Sequence, residues 1–234
     1  MIKAVFFDVG STLIEPSPNV DGVFFEKARA RGHDISLEAL RPHLATINNF
    51  YEKEYERDGD FWCSPEGSVS MYLDMYRYLA HLVDLSDDAH AIAQDVHSAY
   101  LKASYWRIYE DVLYCLKTLK KQGFQLSVVS NWAPNLENLL CELKLRPFFD
   151  EIISSANVGY RKPDPMIFSL LLERLSLDPK EVIHVGDHID ADGLGAHRAG
   201  IKAVIIDRSN KYTQNEYPSI SGLEELPSFI AQLG

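Results

Sequence analysis

Residues 6–13 read FFDVGSTL. A short apolar run, Ile2–Phe7, meets one carboxylate at Asp8; Gly10, Ser11 and Thr12 follow, and then a second apolar pair, Leu13 and Ile14. A near-continuous apolar run predicts a strand buried on both faces, as in a parallel sheet covered by helices. In open parallel sheets, ligands gather at the carboxyl ends of the strands. An aspartate at such an end is therefore a candidate for chemistry, although a lone Asp after a strand is more often a turn or capping residue.

Four further apolar runs read as strands: Leu126–Ser130, Glu151–Ser154, Val182–Val185 and Lys202–Ile206. They alternate with helical stretches over 111–124, 134–145, 164–177 and 190–200. In the first of these, Val112, Leu113, Leu116 and Leu119 fall at helical spacing and Gly123 stands at a C-terminal position; in the second, Pro134 suits a first helical turn. This alternation predicts an α/β fold with a doubly wound, Rossmann-like parallel sheet.

The interval between the first two strands is different. It is rich in helix formers and tyrosine and predicts helices at Val20–Arg31, Leu37–Glu56, Ser68–Leu82 and Asp87–Lys102, with Ser36 and Ser86 as N-caps. The expected organisation is an α/β core of residues 1–15 and 105–234, with a helical domain of residues 16–104 inserted into it. Tyr51 with Tyr55, and Tyr72 with Tyr76, are one helical turn apart and read as core. Phe61 and Trp62 fall in the connection DGDFWCSP, where exposure would give them a part in choosing a substrate.

Bulk properties narrow the class of partner. The net charge is −11, from 34 acidic against 23 basic residues, with no Lys/Arg stripe to offset it, which argues against nucleic acid and anionic membranes. No apolar stretch approaches the roughly 20 residues of a membrane helix, and MIKAVFFDVG carries no signal-peptide layout. Three cysteines without CxxC spacing fit free thiols in a reducing compartment. A cytoplasmic protein, a monomer or weak dimer, is expected.

Polar residues follow four of the five strands: Asp8 and Thr12; Ser130 and Asn131; Lys162, Pro163 and Asp164; and Gly186 and Asp187, with Asp190 and Asp192 beyond. Taken singly, each reads as a cap, a turn or a solvated loop. Together, at one edge of one sheet, they form a constellation.

The set FFDVGSTL … VVSNW … GYRKPDPMIF … HVGDHIDADGLGAHRAG resembles the haloacid dehalogenase superfamily, most of whose members are phosphatases. The resemblance covers the α/β core, and the insertion matches the superfamily's helical cap in position and character. It implies a Mg²⁺-dependent phosphohydrolase acting on a small phosphorylated metabolite. Asp8 would be the nucleophile that becomes an aspartyl phosphate. Ser130 and Lys162 would complete the catalytic set, and Thr12 and Asn131 would contact substrate. Asp8, the Gly10 carbonyl, Asp187 and Asp192 would form the metal site. Hard oxygen donors of this kind suit Mg²⁺, which also binds substrate phosphate.

Gly10 departs from the pattern, because most phosphatases of the superfamily carry there a second aspartate that protonates the leaving group and then deprotonates water. Glycine does neither, and a positioned acid/base is worth about 10²–10⁴-fold in rate. Three readings follow. The first is an enzyme whose substrate has a good leaving group, or which borrows an acid/base such as His33 or His188. The second is a relative that binds a phosphorylated ligand or a protein with little turnover. The third, disfavoured by the retained metal half of the site, is dehalogenase or phosphonatase chemistry, the latter needing a lysine such as Lys27, Lys53 or Lys102.

Overall fold

The computed structural model describes residues 1–57, 60–212 and 216–233, and in it the chain divides into two compact units, Met1–Glu15 with Ile108–Gly234, and Pro16–Arg107. The first unit is built on a six-stranded parallel sheet. Its strands are β1 (Ala4–Phe7), β4 (Gln125–Ser130), β5 (Glu151–Ser154), β6 (Val182–Gly186), β7 (Lys202–Ile206) and β8 (Ser219–Ile220), in the order β5-β4-β1-β6-β7-β8. The two remaining strands, β2 (Ile14–Pro16) and β3 (Trp106–Ile108), pair with each other where the chain passes from one unit to the other and back.

β1 is central because all four of its residues are apolar and fully buried, which only a strand with neighbours and cover on every side can be. Phe7 pairs in register with Val128 of β4 and Val185 of β6, so Asp8 leaves the sheet between the ends of those two strands. The helices Val112–Lys121, Leu136–Glu142, Pro165–Leu175 and Leu226–Ala231 belong to this unit. Ala4 and Phe6 of β1 share one apolar cluster with Ile167, Phe168 and Leu171 of the third of these.

Two sequence expectations give way here. The helix expected to begin at Pro134 begins at Leu136, with Pro134 in the preceding turn. The stretch after β6 forms a π-helical turn, Ile189–Leu194, and then one short α-turn, Gly195–Arg198. β8 has only two residues in the ladder, too short a run to show any periodicity.

The second unit is helical: Val20–Ala30, Leu37–Leu40, Leu44–Arg57, Pro65–Leu82 and Ala89–Tyr100. Pro42 explains why the single helix expected over Leu37–Glu56 is broken. It lacks an N–H and crowds the turn before it, and a 3₁₀ turn at Arg41–His43 takes up the interruption. Ser36 caps its helix as expected, accepting from the Ala39 N–H. Ser86 does not: its hydroxyl meets Nδ1 of His81 at 2.9 Å, and the helix that follows starts without a side-chain cap. Ser64 caps the longest helix through the Gly67 N–H, moving that helix's start ahead of the expected Ser68. None of the described helices is long and apolar enough to cross a membrane.

Tyr76 is core, with Tyr72 packed against it and stacked on it at 6.1 Å between ring centroids, whereas Tyr51 and Tyr55, stacked at 6.2 Å, are only half-buried. Trp62 overturns the expectation of an exposed selectivity loop. It lies in a 3₁₀ turn only 4% exposed, its indole N–H donating to the Tyr51 hydroxyl at 3.1 Å and its ring meeting Tyr72 edge-on. The connection continues back to Asp58 and Gly59, which lie outside the described residues. A buried indole with its N–H satisfied is a stability element, and Trp62→Ala is expected to cost about 3–5 kcal/mol in a denaturant unfolding titration.

Candidate active site

Asp8 stands at the end of β1 with little exposure (7%), and two side chains converge on its Oδ1. The Ser130 hydroxyl, at the end of β4, donates at 2.9 Å, and the Lys162 ammonium donates at 2.6 Å. The same ammonium donates to Oδ1 of Asp192 at 2.6 Å. Lys162 is 1% exposed and Asp192 is equally buried, so a single cation is shared between two carboxylates out of reach of bulk water. Burial opposes the charge on Lys162, but Asp192 and Asp8 outweigh it and hold the ammonium protonated above its ordinary range.

Asp192 is the most firmly held of the acids. Besides Lys162, its Oδ1 accepts from Nε2 of His184 at 2.8 Å, and its Oδ2 accepts from the His188 backbone N–H at 3.0 Å. Burial would raise its carboxyl, yet Lys162 and His184 hold it well below the usual carboxylate range. The π-helical turn brings Asp192 back over the end of β6, so that a Cβ on Gly186 would overlap its carboxylate carbon. Residue 186 is glycine because the acid packs directly on its α-carbon.

Among the described residues the Asp187 carboxylate has no such side-chain partner. Burial first, and then the facing charges of Asp8 and Asp192, push its carboxyl up to about 8. Asp8 is raised for the same leading reason, burial, which Lys162 only partly offsets. One oxygen from each of Asp8, Asp187 and Asp192 lies within 4.8 Å of the others. Three clustered carboxylates facing one ammonium leave an excess of negative charge among hard oxygen donors, and a small divalent cation fits both the charge and the donor set.

The remaining expected residues are placed as follows. Asn131 forms a reciprocal pair with the backbone of Lys162: its Nδ2 donates to the Lys162 carbonyl at 2.9 Å, and its Oδ1 accepts the Lys162 N–H at 2.7 Å. It therefore braces the lysine loop. Thr12 is fully buried, and its hydroxyl has no hydrogen-bond partner among the described residues. Gly10 bridges to Ile14, and a Cβ there would meet the Trp132 ring at 3.4 Å. Sequence reasoning missed His184, which sits inside an apolar strand where its residue type alone gives no signal. It also missed Trp132, quoted within VVSNW but given no part.

Each candidate substitute acid/base makes a structural contact. Nε2 of His33 lies 3.1 Å from Asp88 within the helical unit, and Nδ1 of His188 accepts the Ala191 N–H at the start of the π-helical turn. Lys27 is likewise engaged, with Glu26 at 2.8 Å and the Tyr105 hydroxyl at 2.7 Å.

The contact of Asp192 with the α-carbon of residue 186 gives a direct test. Gly186→Ala is expected to displace Asp192 from Lys162, lowering stability by about 1–3 kcal/mol through overpacking and activity by more than the stability loss accounts for. Thermal melting and steady-state rates on one preparation check it.

Residues 2–200 match the family of haloacid dehalogenase-like hydrolases. Among curated relatives, the glyceraldehyde 3-phosphate phosphatase of Methanopyrus kandleri is 31% identical over 223 residues, covering 92% of this chain and 88% of its own length. The ribulose-1,5-bisphosphate 5-phosphatase of Halopiger xanaduensis is 28% identical over 229 residues, covering 92% of this chain and 89% of its own. Among solved structures, the hydrolase YfnB of Bacillus subtilis bound to magnesium superposes with a TM-score of 0.78 at 20% identity, covering 98% of both chains. With the family match spanning both units and the six-stranded sheet placing its acids at one edge, the chain belongs to the haloacid dehalogenase-like hydrolases.

Proposed function

We propose that the chain is a Mg²⁺-dependent phosphohydrolase that moves a phosphoryl group from a small phosphorylated metabolite to Asp8 and then to water. The observation that carries this reading is Asp8 itself, a nearly buried carboxylate held by Ser130 and Lys162 and faced by two further acids. The activities named for the two archaeal relatives support the substrate class.

In the first step a carboxylate oxygen of Asp8 attacks phosphorus, and the bond from phosphorus to the ester oxygen breaks. The departing oxygen takes the electron pair. Lys162 offsets the charge of nucleophile and phosphoryl group together, and Ser130 holds the attacking carboxylate in line. In the second step water attacks phosphorus, the bond between phosphorus and Asp8 breaks, and inorganic phosphate leaves with the carboxylate restored. Asp8, Asp187 and Asp192, with the Gly10 carbonyl, would hold Mg²⁺. When bound, it screens the substrate's charge and stabilises the equatorial oxygens of the transition state. Asn131 acts by holding the loop of Lys162.

Gly10 decides the kinetic character. Without an acid beside Asp8, leaving groups that need little protonation transfer best; without a base, the phosphoenzyme hydrolyses slowly. Aryl and acyl phosphates such as 4-nitrophenyl phosphate and acetyl phosphate are therefore expected to outpace glyceraldehyde 3-phosphate, with a burst of leaving group ahead of steady turnover. Activity is expected to vanish in Asp8→Asn and in excess chelator, and to return with Mg²⁺. Absence of any phosphoenzyme or turnover across this panel favours the second reading, a protein that binds phosphorylated ligands, which Gly10 supports.

A second variant separates the missing acid/base from the rest of the site. The indole of Trp132 leaves a Cβ at residue 10 in ordinary contact. Gly10→Asp is thus expected to fold and to raise alkyl-phosphate turnover by about 10–100-fold, within what a positioned acid/base supplies. No gain would show that another residue already moves the proton.

A further inference from the structure

β7 is the one strand among the five read from the sequence whose exit was given no part in the site, and the loop that follows it reaches both catalytic loops. From Arg208, Nη1 and Nη2 donate to the two carboxylate oxygens of Asp111 at 2.8 and 3.0 Å, and Nη2 also donates to the Thr12 backbone carbonyl at 2.8 Å. The guanidinium carbon stands 3.8 Å from the centre of the Tyr109 ring. Asp111 is fixed in turn by the Leu223 N–H at 2.7 Å. Four residues after Arg208, the Tyr212 hydroxyl donates to the Asp187 backbone carbonyl at 3.0 Å. The loop holds its own shape, since the Asp207 carboxylate accepts the N–H groups of Lys211 and Tyr212 at 2.7 and 2.8 Å.

We infer that the Asp207–Tyr212 loop is a positioning element for the phosphoryl-transfer site, Arg208 setting the loop that carries Asp8 and Gly10, and Tyr212 setting the peptide that carries Asp187. The inference rests on the phosphohydrolase reading of that site. Beyond Asp8 the first loop has left the β1 ladder, so its backbone must be held by other means. A guanidinium does this well: it is planar, and its forked donors are already ordered by Asp111 and the Tyr109 face, so the bond to Thr12 demands little further ordering.

Tyr212 acts on a single peptide group. The Asp187 carbonyl and the His188 N–H belong to one peptide plane: Tyr212 donates to its oxygen, and its N–H donates to Oδ2 of Asp192. Both ends of the plane are pinned, and the Asp187 side chain leaves the chain immediately before it. Loss of the Tyr212 hydroxyl frees one end while leaving the ring in place.

The test reads cation binding and phosphoryl transfer separately. Mg²⁺ binding is measured by calorimetry in the presence of inorganic phosphate, which requires no turnover. Tyr212→Phe is expected to weaken it by about 10-fold, the scale of groups that orient metal ligands, with the melting temperature nearly unchanged. Arg208→Gln is expected to slow phosphoenzyme formation by about 10-fold or more through misplacement of the first loop and, because that loop carries Asp8 and the Gly10 carbonyl, to weaken Mg²⁺ binding as well, with partial recovery of both in Arg208→Lys. Should Arg208→Gln fail to fold, Tyr212→Phe decides alone. Wild-type Mg²⁺ affinity in Tyr212→Phe overturns the inference while leaving the phosphohydrolase reading intact. A wild-type protein that binds no Mg²⁺ with phosphate overturns that reading first and the inference with it.

Discussion

The site depends on one buried ammonium. Lys162 sits between Asp8 and Asp192 at 2.6 Å from each, and it is the only cation that either carboxylate contacts among the described side-chain pairs. Burying two carboxylates without it would leave uncompensated charge, and breaking such a pair typically costs about 3–5 kcal/mol. Much of the surrounding architecture keeps that ammonium in place. Asn131 clamps the backbone on both sides of the lysine's α-carbon, and His184 and the His188 N–H hold the carboxylate of Asp192 on its far side.

The same arrangement sets the electrostatics that a phosphorylated ligand would meet. Lys162 satisfies Asp192 and part of Asp8, but Asp187 is left with buried negative neighbours and a carboxyl pushed up to about 8. That imbalance is a physical reason for a divalent cation, independent of family resemblance. It also reconciles the anionic character of the whole chain with an anionic substrate, since the local field at the end of β1 is decided by groups a few ångströms away and not by the net charge of −11.

Gly10 and Trp132 belong together in the account of proton transfer. Where an acid/base side chain would project, the nearest heavy atom is a ring carbon of Trp132, while His33 contacts Asp88 and His188 accepts the Ala191 N–H. The described residues thus place Ser130, Lys162 and two further acids around Asp8, with glycine two residues after it.

The sequence by itself determined five of the six strands of the sheet and the edge where the acids gather. Continuous apolar runs at β1, β4, β6 and β7 are what a covered parallel sheet buries, Ser130 ends its strand, and Asp8 and Asp187 follow theirs directly, so local order in the chain was enough to place them. Tertiary structure alone decided the rest. Arg208, Tyr212 and His184 act through partners distant in sequence or through backbone carbonyls, and neither periodicity nor residue type records such contacts. Trp62 shows the converse: its loop position suggested exposure, but burial is decided by neighbours such as Tyr51 and Tyr72 that only the folded chain brings together. Short-range pattern fixes which face of an element is apolar, whereas the hydrogen bonds that aim catalytic groups are long-range and directional, and they exist only once the chain has closed on itself.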